Sequence, residues 1–319
     1  MRDADAASVS RVLIEGDMMG IPTHGVLRLS TYIQRLTNGA VDPLAVPLLE
    51  HRAAALAMVD GRNALGPVVA EAAVRAGLKM TAKTGIAYVG CHASNHLGAM
   101  IPYALKAVDA GYVMVAGTGA SATMPPFGGA AARIGNNPLC IAAPCPDAPH
   151  FMLDMAMSVA ARGKIRMARD AGQAIPEGWA VDADGQPTTD PAKALEGLLV
   201  AVGGHKGSGL SMGIDILANV MTGAASLDKV GSWSDAIDQP QHVGHFFLFI
   251  DAGRLIGTDA FLAAMRQFRN TIHATPAADP DHPVIMAGER EQMLRAQALT
   301  DGVPVKADVL RDVRRLADV

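Results

Sequence analysis

Tyr112-Val113-Met114-Val115-Ala116-Gly117-Thr118-Gly119-Ala120-Ser121-Ala122 reads as an apolar strand running into G-x-G-x-x-A, the form of a phosphate-binding turn in a doubly wound nucleotide fold. Such a turn works only if a helix starts within it, so that backbone N–H groups and the helix dipole face a pyrophosphate. Here Met124-Pro125-Pro126-Phe127-Gly128-Gly129 follows within a few residues. Two adjacent prolines remove donors and clash with preceding carbonyls, which a regular helix interior does not tolerate. The acidic residue that would hold a ribose about 20 residues further on is also missing, since Gly135-Asn136-Asn137-Pro138 stands there. The stretch predicts a strand passing into a loop. This argues against a Rossmann domain.

Outward from this run the chain alternates short apolar strands with helices. Residues 5–18 read as a helix, and Thr23 to Leu36 as a second, with apolar positions at Val26, Leu29, Ile33 and Leu36 and a stop at Asn38-Gly39. Ala55–Val59, Ile86–Val89, Tyr112–Ala116, Leu139–Ala143, Phe151–Met155 and His245–Asp251 are strand candidates. Gly66–Thr84, Ser94–Ala110, Leu210–Met221 and Phe261–His273 read as helices, with a loop-rich stretch from Gly172 to Pro191. The tail from Arg290 to Leu316 has helical charge patterning broken at Gly302 and Pro304.

Composition narrows the function classes. The 319 residues carry 27 basic and 31 acidic side chains, net charge −4, with no long run of either sign. That is not the footprint of a nucleic-acid binder. Mean hydropathy is +0.21, yet no stretch approaches the roughly 18 consecutive apolar residues of a membrane span. Three cysteines, Cys91, Cys140 and Cys145, form neither a disulfide framework nor a CxxC pair, as expected of reduced thiols in a cytoplasmic protein.

Three constellations offer chemistry. In Ile21-Pro22-Thr23-His24-Gly25-Val26-Leu27-Arg28, Thr23 would cap a helix with His24 and Arg28 on one face, roughly 5–6 Å apart at Cβ. Such a pair suits an acid with an oxygen on its second carbon. Arg28 takes the carboxylate bidentately and His24 exchanges the hydroxyl proton. The bland alternative is an exposed helix start. In Cys91-His92-Ala93-Ser94-Asn95-His96-Leu97-Gly98, His92 and His96 have HxxxH spacing but lack the third ligand a zinc site needs. His96 is instead a second acid/base candidate, or a hydrogen-bonded turn histidine. Gly203-Gly204-His205-Lys206-Gly207-Ser208-Gly209 opens an apolar helix and could cradle a phosphate or be a plain turn. It is not a Walker A loop, and no carboxylate cluster for magnesium accompanies it, which argues against a phosphotransferase.

These segments resemble the malate/L-lactate dehydrogenase family, which also holds ureidoglycolate, sulfolactate and diketogulonate dehydrogenases and Δ1-piperideine-2-carboxylate reductase. The resemblance rests on residues 23–28, Ser94-Asn95-His96-Leu97-Gly98, Pro126-Phe127-Gly128-Gly129 and Gly135-Asn136-Asn137-Pro138. It continues through Asp154-Met155-Ala156, Arg162-Gly163-Lys164, Pro176-Glu177-Gly178-Trp179-Ala180 and Thr188-Thr189-Asp190-Pro191. Gly203 to Leu210 and Gly244-His245-Phe246-Phe247 complete the ordered set over nearly the whole chain.

The resemblance implies a mixed α/β (α+β) fold: a non-Rossmann NAD(P)-binding domain with a mainly antiparallel sheet, packed on a helical substrate and dimerisation domain. The corresponding divisions are 1–90 for the N-terminal segment, 91–255 for the inserted coenzyme domain and 256–319 for a C-terminal segment packing on the first. It also implies a homodimer with the active site near the interface. His24 would be the proton donor/acceptor, assisted by Thr23, with Arg28 and Asn136 holding the substrate. His96 is the acid/base in one branch and begins the coenzyme-contacting stretch Leu97, Gly98, Ala99 and Met100 in others. Asp154, Met155, Ala156, Arg162, Gly163, Lys206, Gly288, Glu289 and Arg290 would be further NAD or NADP contacts. The expected reaction is hydride transfer at C2 of a small anionic 2-hydroxy or 2-keto acid. The alternative is NADPH-dependent reduction of a cyclic imino acid. Thr23 departs from the family's usual serine but keeps the hydroxyl. Lys164 stands where the imine-reducing branch tends to place an acid, and part of a further helix is usual ahead of Met1.

Overall fold

The aromatic run His245-Phe246-Phe247-Leu248-Phe249-Ile250 becomes the centre of the molecule, with its side chains alternating between two cores. The computed structural model describes residues 1–147 and 149–317. In chain order the first half comprises α1 (Asp3–Met18), α2 (Leu29–Thr37), β1 (Leu48–Ala53), β2 (Leu56–Asp60), α3 (Gly66–Thr84), β3 (Ile86–Ser94), α4 (Ile101–Asp109) and β4 (Val113–Thr118). Next come β5 (Ala122–Met124), β6 (Ile134–Gly135), β7 (Leu139–Ala143), β8 (Phe151–Met155), α5 (Arg162–Asp170), β9 (Ala180–Val181), β10 (Pro187–Thr188), α6 (Pro191–Glu196) and β11 (Leu198–Leu199). The chain closes with α7 (His205–Asp215), a wider helical turn Ile216–Val220, β12 (Val243–Ile250), α8 (Gly253–Ile256), α9 (Thr258–His273), α10 (Glu289–Asp301) and α11 (Ala307–Ala317).

The main sheet has seven strands in the order β1-β2-β3-β12-β4-β7-β8. Only β2 and β3 run parallel, and every other pair is antiparallel. This is the mixed, mostly antiparallel architecture expected above. Phe247 and Phe249 point into a core shared with α1, α3 and α4. Phe246 points to the other face, where Met157, Ile165, Leu199, Ile214 and Ala218 close a second core. Gly117-Thr118-Gly119 leads from β4 into β5 with no helix after it, so the exclusion of a dinucleotide turn holds.

Three helix expectations are corrected, two of them by a carboxylate reaching in from another element and the third by a local glycine turn. Thr23 to Leu36 is not one helix: two single turns, Pro22–His24 and Val26–Arg28, precede α2. Gly25 between them is extended (φ −89, ψ −155). The carboxylate of Asp17 occupies the place of a Gly25 Cβ and accepts from Val26 N at 2.8 Å. Thr23 is therefore no helix cap, and His24 and Arg28 meet through a turn rather than a helix face. The helix expected from Ser94 begins only at Ile101, where Asp154 Oδ2, reaching over from β8, accepts from Met100 N at 2.8 Å. That carboxylate serves as the cap, so His96 stands in an irregular segment between β3 and α4. The helix expected from Leu210 already starts at His205, after Gly203 and Gly204 turn through φ +61 and +62. β1 was not anticipated, because its side chains are mostly exposed and show no alternation.

Gly77 of α3 packs directly on the ring of Phe249, and a Cβ there would overlap the ring carbons. Alanine normally favours a helix over glycine by about 1 kcal/mol, whereas forcing a methyl into a filled core costs about 1–3 kcal/mol. Phe249 is fully buried and has nowhere to go, so the second effect wins. Gly77→Ala is expected to lower stability by up to about 2 kcal/mol in denaturant unfolding. A rise in stability would mean α3 can lift off the sheet at little cost.

Candidate active site

A cleft of about 450 Å³ opens where the turns 21–28, the irregular segment 96–100, the β4–β5 connection, the start of α5 and the loop 232–241 converge. Its size is that of a small-molecule site. Four of these five walls are backbone that the fold holds by side-chain hydrogen bonds rather than by helix or sheet pairing.

In the first wall Thr23 Oγ1 lies 3.1 Å from His24 Nδ1. Arg28 Nε donates to Thr23 O at 2.5 Å, and its guanidinium lies 4.7 Å from the centre of the Trp233 ring. The side chain is thus clamped at its inner nitrogen and on one face, leaving its outer fork toward the cleft. Gly163, in the first turn of α5, faces this fork: a Cβ there would be in van der Waals contact, 3.5 Å from Arg28 Nη2 and from Thr23 Cγ2.

The rings form a stack. His24 and His96 lie 5.6 Å apart with planes 20° from parallel, and His96 and Trp233 lie 4.4 Å apart at 17°. Tyr32 OH meets His96 Nδ1 at 2.8 Å, fixing the edge of that ring. Trp233 is held from behind by Arg35, a buried guanidinium that donates to Trp233 O, Ala236 O and Gln239 O at 3.3, 2.9 and 2.8 Å. Its last bond goes to Asn95 Oδ1 at 3.1 Å, joining the loop to the residue beside His96.

Burial, and then the positive charge of Arg28, push the His24 imidazole down to about 4. Burial pushes His96 well below its ordinary value, reinforced by His24, Arg28, His245 and Arg35. Both rings are neutral at physiological pH. The Asp154 carboxyl is raised to about 6 by burial, against the stabilising N–H groups of Met100 and Ile101. At the floor, His245 bridges Ser94 Oγ and Thr118 Oγ1 at 2.8 and 2.7 Å, and burial takes it down to about 3.

Of the residues singled out from the sequence, Thr23, His24, Arg28, His96, Leu97, Gly98, Ala99, Met100, Asn136, Asp154, Ala156, Arg162 and Gly163 all line this cleft. Met155 does not, because strand alternation turns it into the second core. Lys206 lies within the first turn of α7, away from the cleft. Gly288, Glu289 and Arg290 open α10 behind β8: Gly288 backs onto Met152, Glu289 meets His273 Nε2 at 2.8 Å, and Arg290 is exposed. His92 lies 4.0 Å from Asp60, and no cluster of three metal-ligating side chains occurs among the described residues. Sequence reasoning missed Asp17, Tyr32, Arg35, Trp233 and Gln241. Trp233, one of two tryptophans and set in a Gly-Ser-Trp-Ser loop, was the one signal available.

The family model for malate/L-lactate dehydrogenase matches residues 1–314. The malate dehydrogenase of Pyrococcus horikoshii is 31% identical over 99% of this chain and 89% of its own length. The Δ1-pyrroline-2-carboxylate reductase of Ancylobacter novellus is 31% identical over 98% of this chain and 90% of its own. The solved sulfolactate dehydrogenase of Methanocaldococcus jannaschii superposes with a TM-score of 0.91 at 30% identity, covering 99% of this chain and 91% of that one. With a family model over nearly its full length, relatives at this identity and the same fold, the chain belongs to the malate/L-lactate dehydrogenase family.

Proposed function

We propose that the cleft catalyses reversible hydride transfer between NAD or NADP and C2 of a small 2-hydroxy or 2-keto acid. The observation that carries this reading is a neutral histidine and a clamped arginine fork on one turn: His24 with Thr23 at 3.1 Å, and Arg28 fastened to Thr23 O. A dinucleotide fits the walls. Two buried polar atoms among the cleft residues, Gln241 Oε1 and Thr123 Oγ1, have no partner among the described residues, and a ligand with amides and hydroxyls would complete them.

When bound, the nicotinamide supplies the hydride acceptor or donor. Arg28 takes the substrate carboxylate with its outer fork, and the start of α5 at Arg162 and Gly163 adds positive potential. That fixes the hydroxyl on C2 toward His24. With Nδ1–H given to Thr23 Oγ1, Nε2 carries the lone pair that accepts the hydroxyl proton during oxidation. In the reverse direction the protonated ring returns it. The methyl group of Thr23 leaves the hydroxyl in place for this role. His96, wedged between Trp233 and His24, serves as the platform that keeps His24 in line.

The relative named Δ1-pyrroline-2-carboxylate reductase supports a second reading, reduction of a cyclic imino acid. Arg28, Arg162, Lys164 and Arg166 against the single carboxylate of Asp235 at this end of the cleft favour the purely anionic substrate. The residues 1–90, 91–255 and 256–319 remain our division into N-terminal, coenzyme-binding and C-terminal segments. Three buried free thiols are consistent with a cytoplasmic setting, and no helix among the described residues is long and apolar enough to cross a membrane.

The outer face of α7 and the turn after it supports a homodimer. Leu210, Met212, Ile216, Leu217, Val220 and Met221 are 37–58% exposed in one apolar row, more than single scattered residues would present. Asn137 donates to Ser211 O of α7 and accepts from Ala120 N in the cleft wall, both at 2.9 Å, which would couple that face to the site. Sedimentation should find a dimer, and Ile216→Asp with Val220→Asp a monomer. A monomeric parent protein would end this proposal.

His24→Ala should lower kcat about 10²–10⁴-fold, the usual range for a lost acid/base, with coenzyme binding retained. Arg28→Ala should raise KM for the acid about 10–100-fold, as for a lost charge-assisted pair. Near-normal turnover of His24→Ala would shift the proton role to His96. Because His24 is lowered to about 4, the free enzyme holds it neutral from pH 5 upward. Oxidation, which needs the neutral ring, should show kcat/KM flat from about pH 8 to 5. Reduction needs the protonated ring, so kcat/KM should fall about tenfold per pH unit over the same range as pH rises. A keto-acid profile flat across that range would contradict the assignment.

A further inference from the structure

We propose that the side-chain amide of Gln241 pairs with the carboxamide of the coenzyme's nicotinamide and so selects which way the ring lies in the cleft; this rests on the nicotinamide-dependent reading above. Gln241 is 2% exposed, lines the cleft, and its buried Oε1 has no partner among the described residues. Buried polar atoms are nearly always satisfied, and an N–H donor from a bound ligand would supply the partner this oxygen lacks.

Looseness does not explain the missing partner. Gly231 N donates to Gln241 O at 3.0 Å, and Arg35 grips Gln239 O two residues earlier. His242 adopts φ +54, a left-handed turn uncommon outside glycine, and β12 starts at the next residue. The backbone is pinned on both sides of a side chain left free.

Its place in the cleft identifies the ligand group. The bond from Gly231 sets Gln241 beside Ser232 and Trp233, and the Trp233 ring lies 4.4 Å from His96, which in turn faces His24. Gln241 therefore stands at the reacting end. There Arg28 is matched to a carboxylate and His24 to a hydroxyl, both acceptor-rich groups. Neither gives Oε1 the N–H it needs. A primary carboxamide offers one N–H donor and one C=O acceptor in a plane, the complement of a glutamine amide, and the two form a pair of N–H···O bonds. Exchanging the O and N ends of the Gln241 amide leaves this complementarity unchanged. The nicotinamide ring carries such a group beside its reacting carbon. Anchoring it fixes the ring face shown to C2, a geometric requirement of hydride transfer.

The test measures binary dissociation constants by coenzyme fluorescence, with no acid present. Ligands are NADH or NADPH, whichever binds, and the matching reduced 3-acetylpyridine analogue, which keeps the carbonyl and lacks the NH₂ donor. The parent protein should bind the analogue about tenfold more weakly, the usual loss for one buried hydrogen bond. In Gln241→Leu the two ligands should bind within about twofold of each other. Gln241→Glu, which keeps the acceptor oxygen, should retain the preference for the carboxamide, and covers the case of a leucine variant that fails to fold. Undiminished discrimination in Gln241→Leu overturns the proposal. So does a Gln241→Leu variant with unchanged binary constants and a raised KM for the acid alone, which would assign the amide to the substrate. If the parent binds neither dinucleotide, the nicotinamide reading itself fails, and this inference with it.

Discussion

Arg35 carries a positive charge into the interior with no carboxylate among the described residues to meet it, and the site is built around how that charge is satisfied. Its guanidinium spends its donors on three carbonyls of the loop 233–239 and on Asn95 Oδ1. Hydrogen bonds from a charged donor are roughly twice as strong as neutral ones, and leaving any of them open in a buried setting is expensive. The loop is thereby held in one conformation. Asn95 in turn donates to Asn63 Oδ1 and Ala64 O, tying the segment of His96 to the N-terminus of α3. One side chain on α2 therefore fixes Trp233, its ring partner His96, and the wall that carries Gln241.

The histidine–tryptophan–arginine stack follows from that constraint and sets the electrostatics. Packed rings exclude water from His24, and desolvation beside a cation keeps the imidazole neutral. In the proposed reaction a carboxylate arriving at Arg28 would offset its charge, which would favour the protonated ring at the moment reduction requires it. The same turn can thus serve acids that differ beyond C2. The relatives' names, malate, sulfolactate and pyrroline-2-carboxylate, share the carboxylate next to the reacting carbon and little else. In the proposed reaction the outer walls, Lys164 and Arg166 on α5 and the loop 232–241, would face the part of the acid that differs.

Much of the fold was legible because it is local. Strand boundaries for Leu139–Ala143 and Phe151–Met155 agree with the structure residue for residue, since short apolar runs between turn residues admit few alternatives. The Pro125-Pro126 pair decided correctly against a helix after Gly119. The failures are long-range. Nothing near Gly25 in sequence announces that Asp17 will sit where its Cβ would be, and no local pattern shows Asp154 capping a helix that starts at Ile101. His24, Arg28 and His96 could be picked out by residue type and spacing. Tyr32 and Arg35 could not, because on an amphipathic helix a buried tyrosine and a buried arginine look like ordinary half-exposed positions until the loop some 200 residues later is folded over them.

The most direct measurement is the loss of reduced-coenzyme absorbance with NADH and with NADPH against a panel of small 2-keto acids, their carboxamide counterparts and cyclic imino acids. The account predicts turnover with at least one 2-keto acid and none with the matching amide, because Arg28 requires the carboxylate that aligns C2. Turnover confined to cyclic imino acids, or equal turnover of acid and amide, would contradict the arrangement of His24 and Arg28 on which the rest is built.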